Sequence, residues 1–169
     1  MSDTRWLNHQ EIESWRPLAA MLLLLPSHLE EPLQAHGLTF FEYSVLVVLS
    51  HADDRTLPMS EVAHLAFGSL SRTSHSARRL QERGLLERHR CPDDGRVTLV
   101  TLTPQGYQHL TDAAPSHVES VRSAIFDALT PEQSTELGEL ITTVLIHLAP
   151  NGPWATGAPL GSRSNHPTS

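Results

Sequence analysis

The stretch SLSRTSHSARRLQER, residues 69–83, places Arg72, His75, Arg79 and Arg83 three or four residues apart. On a helix, that spacing gathers three guanidinium groups and an imidazole onto one side. A guanidinium can donate two parallel hydrogen bonds to the acceptors on the major-groove edge of guanine, so this pattern suits reading of duplex nucleic acid. The hydroxyls of Ser71 and Ser76 add short-range donors and acceptors for bases or phosphates. Ser69, placed to cap the helix, leaves free backbone N–H groups beside it, which suit a phosphate. A second charged feature lies at PDDGR, where Asp94 and Arg96 flank Gly95 in a tight turn. An arginine projected there could enter the minor groove, drawn by its negative potential, with Asp94 pairing to it and fixing its direction.

These side chains need a helix and a hairpin to hold them, and the pattern of the chain supplies both. Counting about 100° per residue from Leu70, the side chains of Thr73, Ala77 and Leu80 fall near 310°, opposite the arc of Arg72, His75, Arg79 and Arg83. The helix is therefore expected to bury one face and expose the other, with Gly84 as its C-terminal cap. Before it, EVAHLAF reads as a short helix capped by Ser60 and stopped by Gly68. After it, LLERHRC and VTLVTLT alternate as two strands around the turn. Helix, tight turn, helix and ribbon is the order of a winged helix-turn-helix, whose second helix enters the major groove. An ordinary hairpin, whose Asp-Gly turn needs only a residue at positive φ, is the plainer reading of the same ribbon.

Charge placement agrees with that order. Residues 55–103 hold eight Arg against five acids, whereas the rest of the chain holds four Arg against fourteen acids, within a net charge of −7 and without a single lysine. A basic middle lies between acidic ends.

Those ends read as helices. Ile12, Trp15, Ala19, Leu22, Leu29 and Leu33 make one seam from Glu11 to Gly37, with a bend or break expected near Pro26 or Pro32. Thr39 and Glu42 form a capping box for a mostly buried helix reaching about His51, with Leu38 and Tyr43 as its hydrophobic staple. Thr103-Pro104 opens a helix to about Leu129, with a kink threatened at Pro115, and Thr130-Pro131 opens another along Leu137, Leu140, Ile141, Val144, Leu145 and Leu148. The Pro- and Gly-rich residues 150–169 show no periodicity and are expected to be a disordered tail. The expected division is an N-terminal arm (1–10), dimerisation helices (11–37 and 104–149), a winged helix-turn-helix lobe (38–103) and that tail. The fold class is mainly α with a two- or three-stranded antiparallel wing.

GLLERHRCPDDGRVTLVTLTPQG, residues 84–106, resembles the wing signature of the MarR family of transcriptional regulators: Gly-Leu, Glu-Arg, Asp-x-Arg, then Leu102, Thr103 and Gly106. The similarity runs over about residues 11–149 and includes His-Gly-Leu-Thr at 36–39. This resemblance implies a homodimer interlocked through its terminal helices, binding a palindromic double-stranded DNA operator, as a repressor whose grip small, often phenolic or anionic ligands relax. It also implies a ligand crevice between lobe and dimer helices, toward which Trp15, Arg16, Met21, His28, Tyr43 and His51 are candidates. His75 departs from the basic residue many members carry. The prolines of the first helix and the Pro-Gly tail are departures too.

Other chemistry has little support. Among eleven histidines the best metal set is His28, Glu31, Glu42, His109 and His117, but 109 and 117 are eight apart across Pro115, not one helical turn. No metal and no cofactor are expected. Cys91 stands alone, which excludes an internal disulfide and agrees with a cytoplasmic location; Arg88 and Arg90 could lower its pKa, but no resolving partner accompanies it. Nucleophile elbow, zinc-protease motif and phosphate loop are all missing, so no enzyme is expected. The eight-residue run Leu18–Leu25 is too short to cross a bilayer, so no membrane partner is expected. Two alternatives stay open: a winged-helix protein-interaction module that does not read DNA, and a metal-responsive regulator.

Overall fold

The starts of five of the six α-helices among the described residues are marked by side chains that satisfy the first free N–H groups. The structure, a computed structural model, describes residues 4–156. Asn8 and Glu11 form a reciprocal capping box, so α1 runs His9–Gln34 and the N-terminal arm is shorter than expected. Pro17, Pro26 and Pro32 lie within α1, yet it continues without the expected interruption. The carbonyls that these prolines leave without partners belong to Glu13, Leu22 and His28, all exposed residues, where water can replace the lost bonds.

Thr39 and Glu42 cap α2 (Phe40–Ser50) as expected, and Leu38 and Tyr43 are both buried beside that cap. β1 (Thr56–Pro58) leads directly into α3 (Met59–Leu65). Ser60 is therefore not the cap of α3. Met59 is already helical and buried in the core, Pro58 occupies the cap position, and no side chain caps this end.

The turn after α3 also differs in detail. Phe67, not Gly68, takes the left-handed conformation, at φ 52°. Gly68 is needed for space, since a Cβ there would stand 2.4 Å from Phe41 Cζ. Ser69 then caps α4 (Leu70–Glu82), its hydroxyl accepting from Arg72 N at 3.2 Å. Gly84, at φ 72°, lets Leu85 N–H reach back to Leu80 O at 3.0 Å and close the helix.

β2 (Leu86–Arg90) and β3 (Thr98–Leu102) form the antiparallel wing, and β1 pairs with the far edge of β3 to give the order β1-β3-β2. Thr103 caps α5 (Pro104–Ala124), which ends earlier than expected; a 3-10 helix, Phe126–Ala128, fills the gap before α6 (Pro131–Leu148). Pro115 lies inside α5 without breaking it. The core joins the end of α1 to α2, α3, α4, the wing and α5 through Leu33, Leu46, Leu49, Val62, Leu80, Val100 and Ala113, each wholly buried.

Two apolar surfaces remain uncovered. α6 has no buried residue, leaving Leu140, Ile141, Val144 and Leu148 exposed, and α1 exposes Ile12, Trp15, Leu18, Leu22, Leu23 and Leu24. Residues 150–156 correct the expectation of a disordered tail. Gly152 N–H donates to Ala149 O at 2.8 Å, a 3-10 helix spans Pro153–Thr156, and Gly152 and Pro153 are buried. Glycine suits this turn because a Cβ at 152 would stand 3.0 Å from Ala149 O. The rest of that predicted tail, 157–169, lies outside the described residues. Among the described residues no helix is long and apolar enough to cross a membrane.

Candidate nucleic-acid interface

α4 buries Thr73, Ser76, Ala77 and Leu80. Ser76 thus faces the core side, correcting its assignment to the exposed arc: the apolar face is wider than Thr73, Ala77 and Leu80 alone imply. With Ser76 included, the buried face centres near 290° from Leu70, so the opposite direction, near 110°, belongs to Ser71, His75, Arg78 and Glu82. All four are exposed.

The remaining arginines lie on the flanks and are held by the protein itself. The Arg72 guanidinium carbon sits 4.1 Å from the Phe41 ring centroid, a cation–π arrangement. Arg79 Nε lies 3.4 Å from Glu42 Oε1, and Glu42 is only 1% exposed. Arg83 is a structural tie: it donates to Gly37 O at 2.7 Å and lies 3.2 Å from His109 Nε2, joining the end of α4 to α1 and α5. Arg88 is likewise tied, donating to Gln81 Oε1.

Arg78 escaped the sequence reading, although its signal was present. Locating the arc by where arginines cluster favours 72, 79 and 83; locating it opposite the centre of burial favours 78. Arg78 Nη2 lies 3.0 Å from His75 Nδ1. Since arginine only donates, His75 accepts through an unprotonated Nδ1.

The wing turn spans 91–97, closed by Cys91 N–H to Val97 O at 3.0 Å and Val97 N–H to Asp94 O at 2.9 Å. Arg96 is exposed at its tip. Asp94 acts differently from the expected pairing: its Oδ1 accepts from the backbone N–H of Arg96 at 2.9 Å, forming an Asx turn that shapes the loop and leaves the guanidinium unguided. The turn also needs no residue at positive φ, contrary to the expectation for an Asp-Gly hairpin: the positive-φ glycines among the described residues are Gly37 and Gly84, not Gly95. Cys91 is a free, half-buried thiol at the base of this turn.

A cavity of about 910 Å³ opens between α2, α3, His117 of α5 and the C-terminal turn. Of the crevice candidates, Tyr43 and His51 line this cavity; Trp15, Arg16, Met21 and His28 do not. They lie on the exposed stretch of α1 away from it: Trp15 borders a separate depression with Asn8 and Leu18, and Arg16 pairs with Glu13 at 3.8 Å. The sequence reading missed Phe40, His64, Phe67 and His117 in the cavity wall, and also Asn151 and Pro153, which border it from the C-terminal turn. His117 packs against Tyr43 and Phe40 at ring separations of 4.5 and 5.8 Å, and its buried Nδ1 has no hydrogen-bond partner. Burial pushes the His117 imidazole below its ordinary pKa and the Tyr43 phenol above its own. Both rings are thereby favoured in their neutral forms.

The metal set weighed from sequence does not assemble. Glu42 is engaged by Thr39 N–H and Arg79, His109 by Arg83 and His36, and among the described residues no three His, Cys, Asp or Glu side chains are grouped to hold a metal.

Comparison with known proteins gives a consistent result. A family model for the transcriptional regulator SarA/Rot matches residues 28–113. The HTH-type transcriptional regulator MhqR of Bacillus subtilis (strain 168) is 30% identical over 118 residues, 69% of this chain and 79% of that protein. Two solved structures from Streptomyces coelicolor, both MarR family transcriptional regulators, are similar over most of their length. Sco3205, in complex with DNA, is 38% identical at a TM-score of 0.84, covering 95% of this chain and 98% of its own. AbsC is 36% identical at a TM-score of 0.82, covering 88% of this chain and 100% of its own.

Proposed function

Because the chain belongs to the MarR family of winged helix-turn-helix transcriptional regulators, we propose that it binds a palindromic DNA operator as a homodimer and represses transcription from it. The observation that carries this reading is the exposed polar face of α4 beside a projecting wing with Arg96 at its tip, in a chain 38% identical to a relative whose structure is a complex with DNA. α4 enters the major groove with Ser71 and His75 toward it, while the free N–H groups at the Ser69 cap meet a phosphate. Arg72 and Arg79, braced by Phe41 and Glu42, steady the helix against the sugar-phosphate backbone. Arg96 lies in the adjacent minor groove, and Asp94 sets the shape of its turn.

The two uncovered apolar surfaces, on α1 and α6, support the homodimer: they are too extensive to remain in water, and a two-fold axis buries the same surface on both copies. The dimer comprises α1, α5 and α6, and the lobe comprises residues 38–103. The cavity between α2, α3 and the C-terminal turn supports response to a small effector. Its walls are aromatic and apolar with a few convergent polar groups, which suits a small aromatic ligand.

Selection of bound sites from random duplexes tests this reading. A recovered palindrome, bound with an affinity that falls steeply as salt rises, is the expected result. Absence of binding at low salt, or retention indifferent to salt, would leave a winged-helix module that associates with proteins instead.

A further inference from the structure

We infer that Arg78, aimed by His75, is the side chain through which α4 selects a base, its ligand being the O6 and N7 edge of a guanine. This rests on the DNA-binding reading above and goes beyond it by separating one arginine from four on the same helix and its cap. Arg72 stacks on Phe41, Arg79 faces buried Glu42 and Arg83 bonds the Gly37 carbonyl. Each of those contacts would have to be given up before the guanidinium could turn fully toward a base edge.

Arg78 lies nearly opposite the buried face of α4 and makes no ion pair with a carboxylate among the described residues. Its contact with His75 uses one of five N–H groups and leaves four, enough for a two-bond contact with guanine. The direction of that contact matters as much as its existence. His75 lies one turn toward the N-terminus, so the bond draws the guanidinium back along the axis by about 4.5 Å, toward the end of the helix that enters the groove. Holding the side chain there also removes much of the rotamer freedom that an exposed arginine would lose on binding. His75 is on this view a positioning residue, and its acceptor Nδ1 is the atom that matters.

The experiment is parallel site selection and affinity measurement with the full-length protein and the variants Arg78→Ala, Arg78→Lys, His75→Ala, His75→Gln, Arg72→Ala and Arg79→Ala, at one salt concentration, each checked for folding by circular dichroism. Arg78→Ala should lose ~5- to 150-fold of the preference for guanine at one position in each half-site. Arg78→Lys should regain overall affinity without regaining that preference, because an ammonium keeps the charge and lacks the planar fork. His75→Ala should weaken preference at the same position, and His75→Gln, whose carbonyl oxygen can accept from Arg78, should restore part of it. Arg72→Ala and Arg79→Ala should weaken all sequences alike. An unchanged sequence preference in folded Arg78→Ala, or loss of a guanine preference in Arg72→Ala or Arg79→Ala alone, overturns the assignment while leaving DNA binding intact. Failure of the wild-type protein to bind any duplex overturns both.

Discussion

Arg79 and Glu42 bring a recognition-helix side chain to a buried carboxylate: Nε of one lies 3.4 Å from Oε1 of the other, while Glu42 Oε2 accepts the Thr39 N–H at 2.9 Å. The same carboxylate therefore caps α2 and anchors α4. Arg79→Ala leaves Oε1 buried without its cation. The expected cost is about 1 kcal/mol or less, since Oε1 accepts no hydrogen bond even in the intact protein and the substitution removes only an ion pair whose arginine is half exposed and screened by solvent. Chemical denaturation of Arg79→Ala beside Arg79→Lys measures it; equal midpoints for wild type and Arg79→Ala would mean that the pair contributes nothing.

Arg96 differs from every arginine of α4 in standing exposed on a seven-residue turn. Arg96→Ala should weaken binding to all duplexes and reduce the slope of log affinity against log salt by about 1, with the ranking of major-groove positions preserved. Asp94→Ala should lose less, since Asp94 holds only the backbone N–H of Arg96. Titrations at several salt concentrations separate the two effects, and wild-type affinity in Arg96→Ala would assign the hairpin a purely structural role.

His117 gives the fold a pH dependence of defined sign. Burial lowers its folded-state pKa below the ordinary 6.5, so on acidification the unfolded chain takes up the proton first. Its contribution to stability is complete above pH 6.5 and is lost as pH falls toward the lowered value. Denaturation midpoints at neutral pH and near pH 5 should therefore converge in His117→Phe, relative to wild type, with the aromatic contacts to Phe40 and Tyr43 kept. An identical pH dependence in both proteins would remove His117 from the account.

The C-terminal turn borders the cavity through Asn151, Gly152 and Pro153. Truncation after Ala149 should lower the thermal midpoint and increase uptake of the fluorescent apolar probe anilinonaphthalene sulfonate, whereas truncation after Thr156 should do neither. If the two truncations behave alike, the turn is not part of the cavity wall.

The elements legible from sequence were those specified by neighbours in the chain. Caps at Thr39, Ser69, Thr103 and Thr130 each lie three residues from the N–H they satisfy, and the wing strands declare themselves by alternation. What escaped depends on distant partners. No local pattern reveals that Phe41 and Glu42 hold Arg72 and Arg79, or that Gly37 and His109 hold Arg83, whereas the partner of Arg78, His75, lies one turn away on the same helix. Phe67 in a left-handed conformation beside Gly68 inverts the usual preference, because Phe41 claims the space that a Cβ at 68 would need. The cavity likewise gathers α2, α3, α5 and the C-terminal turn, so periodicity on any one helix could identify only Tyr43 and His51.

Gly106 sits so close to the strand beside it that an added Cβ would lie 2.0 Å from Leu85 O, and one turn earlier Thr103 Oγ1 donates to Gly84 O at 2.8 Å. The foot of α5, the end of α4 and the root of the wing are thus clamped at one point, with no slack through which one could turn without the others. α5 extends 21 residues from that clamp, roughly 32 Å at 1.5 Å per residue. Over that length an angle of ~6° corresponds to ~3 Å at the clamp, about the rise of one base-pair step. In the proposed DNA complex the angle of α5 would thus set where α4 and the wing stand as one unit, since both are fixed at its foot.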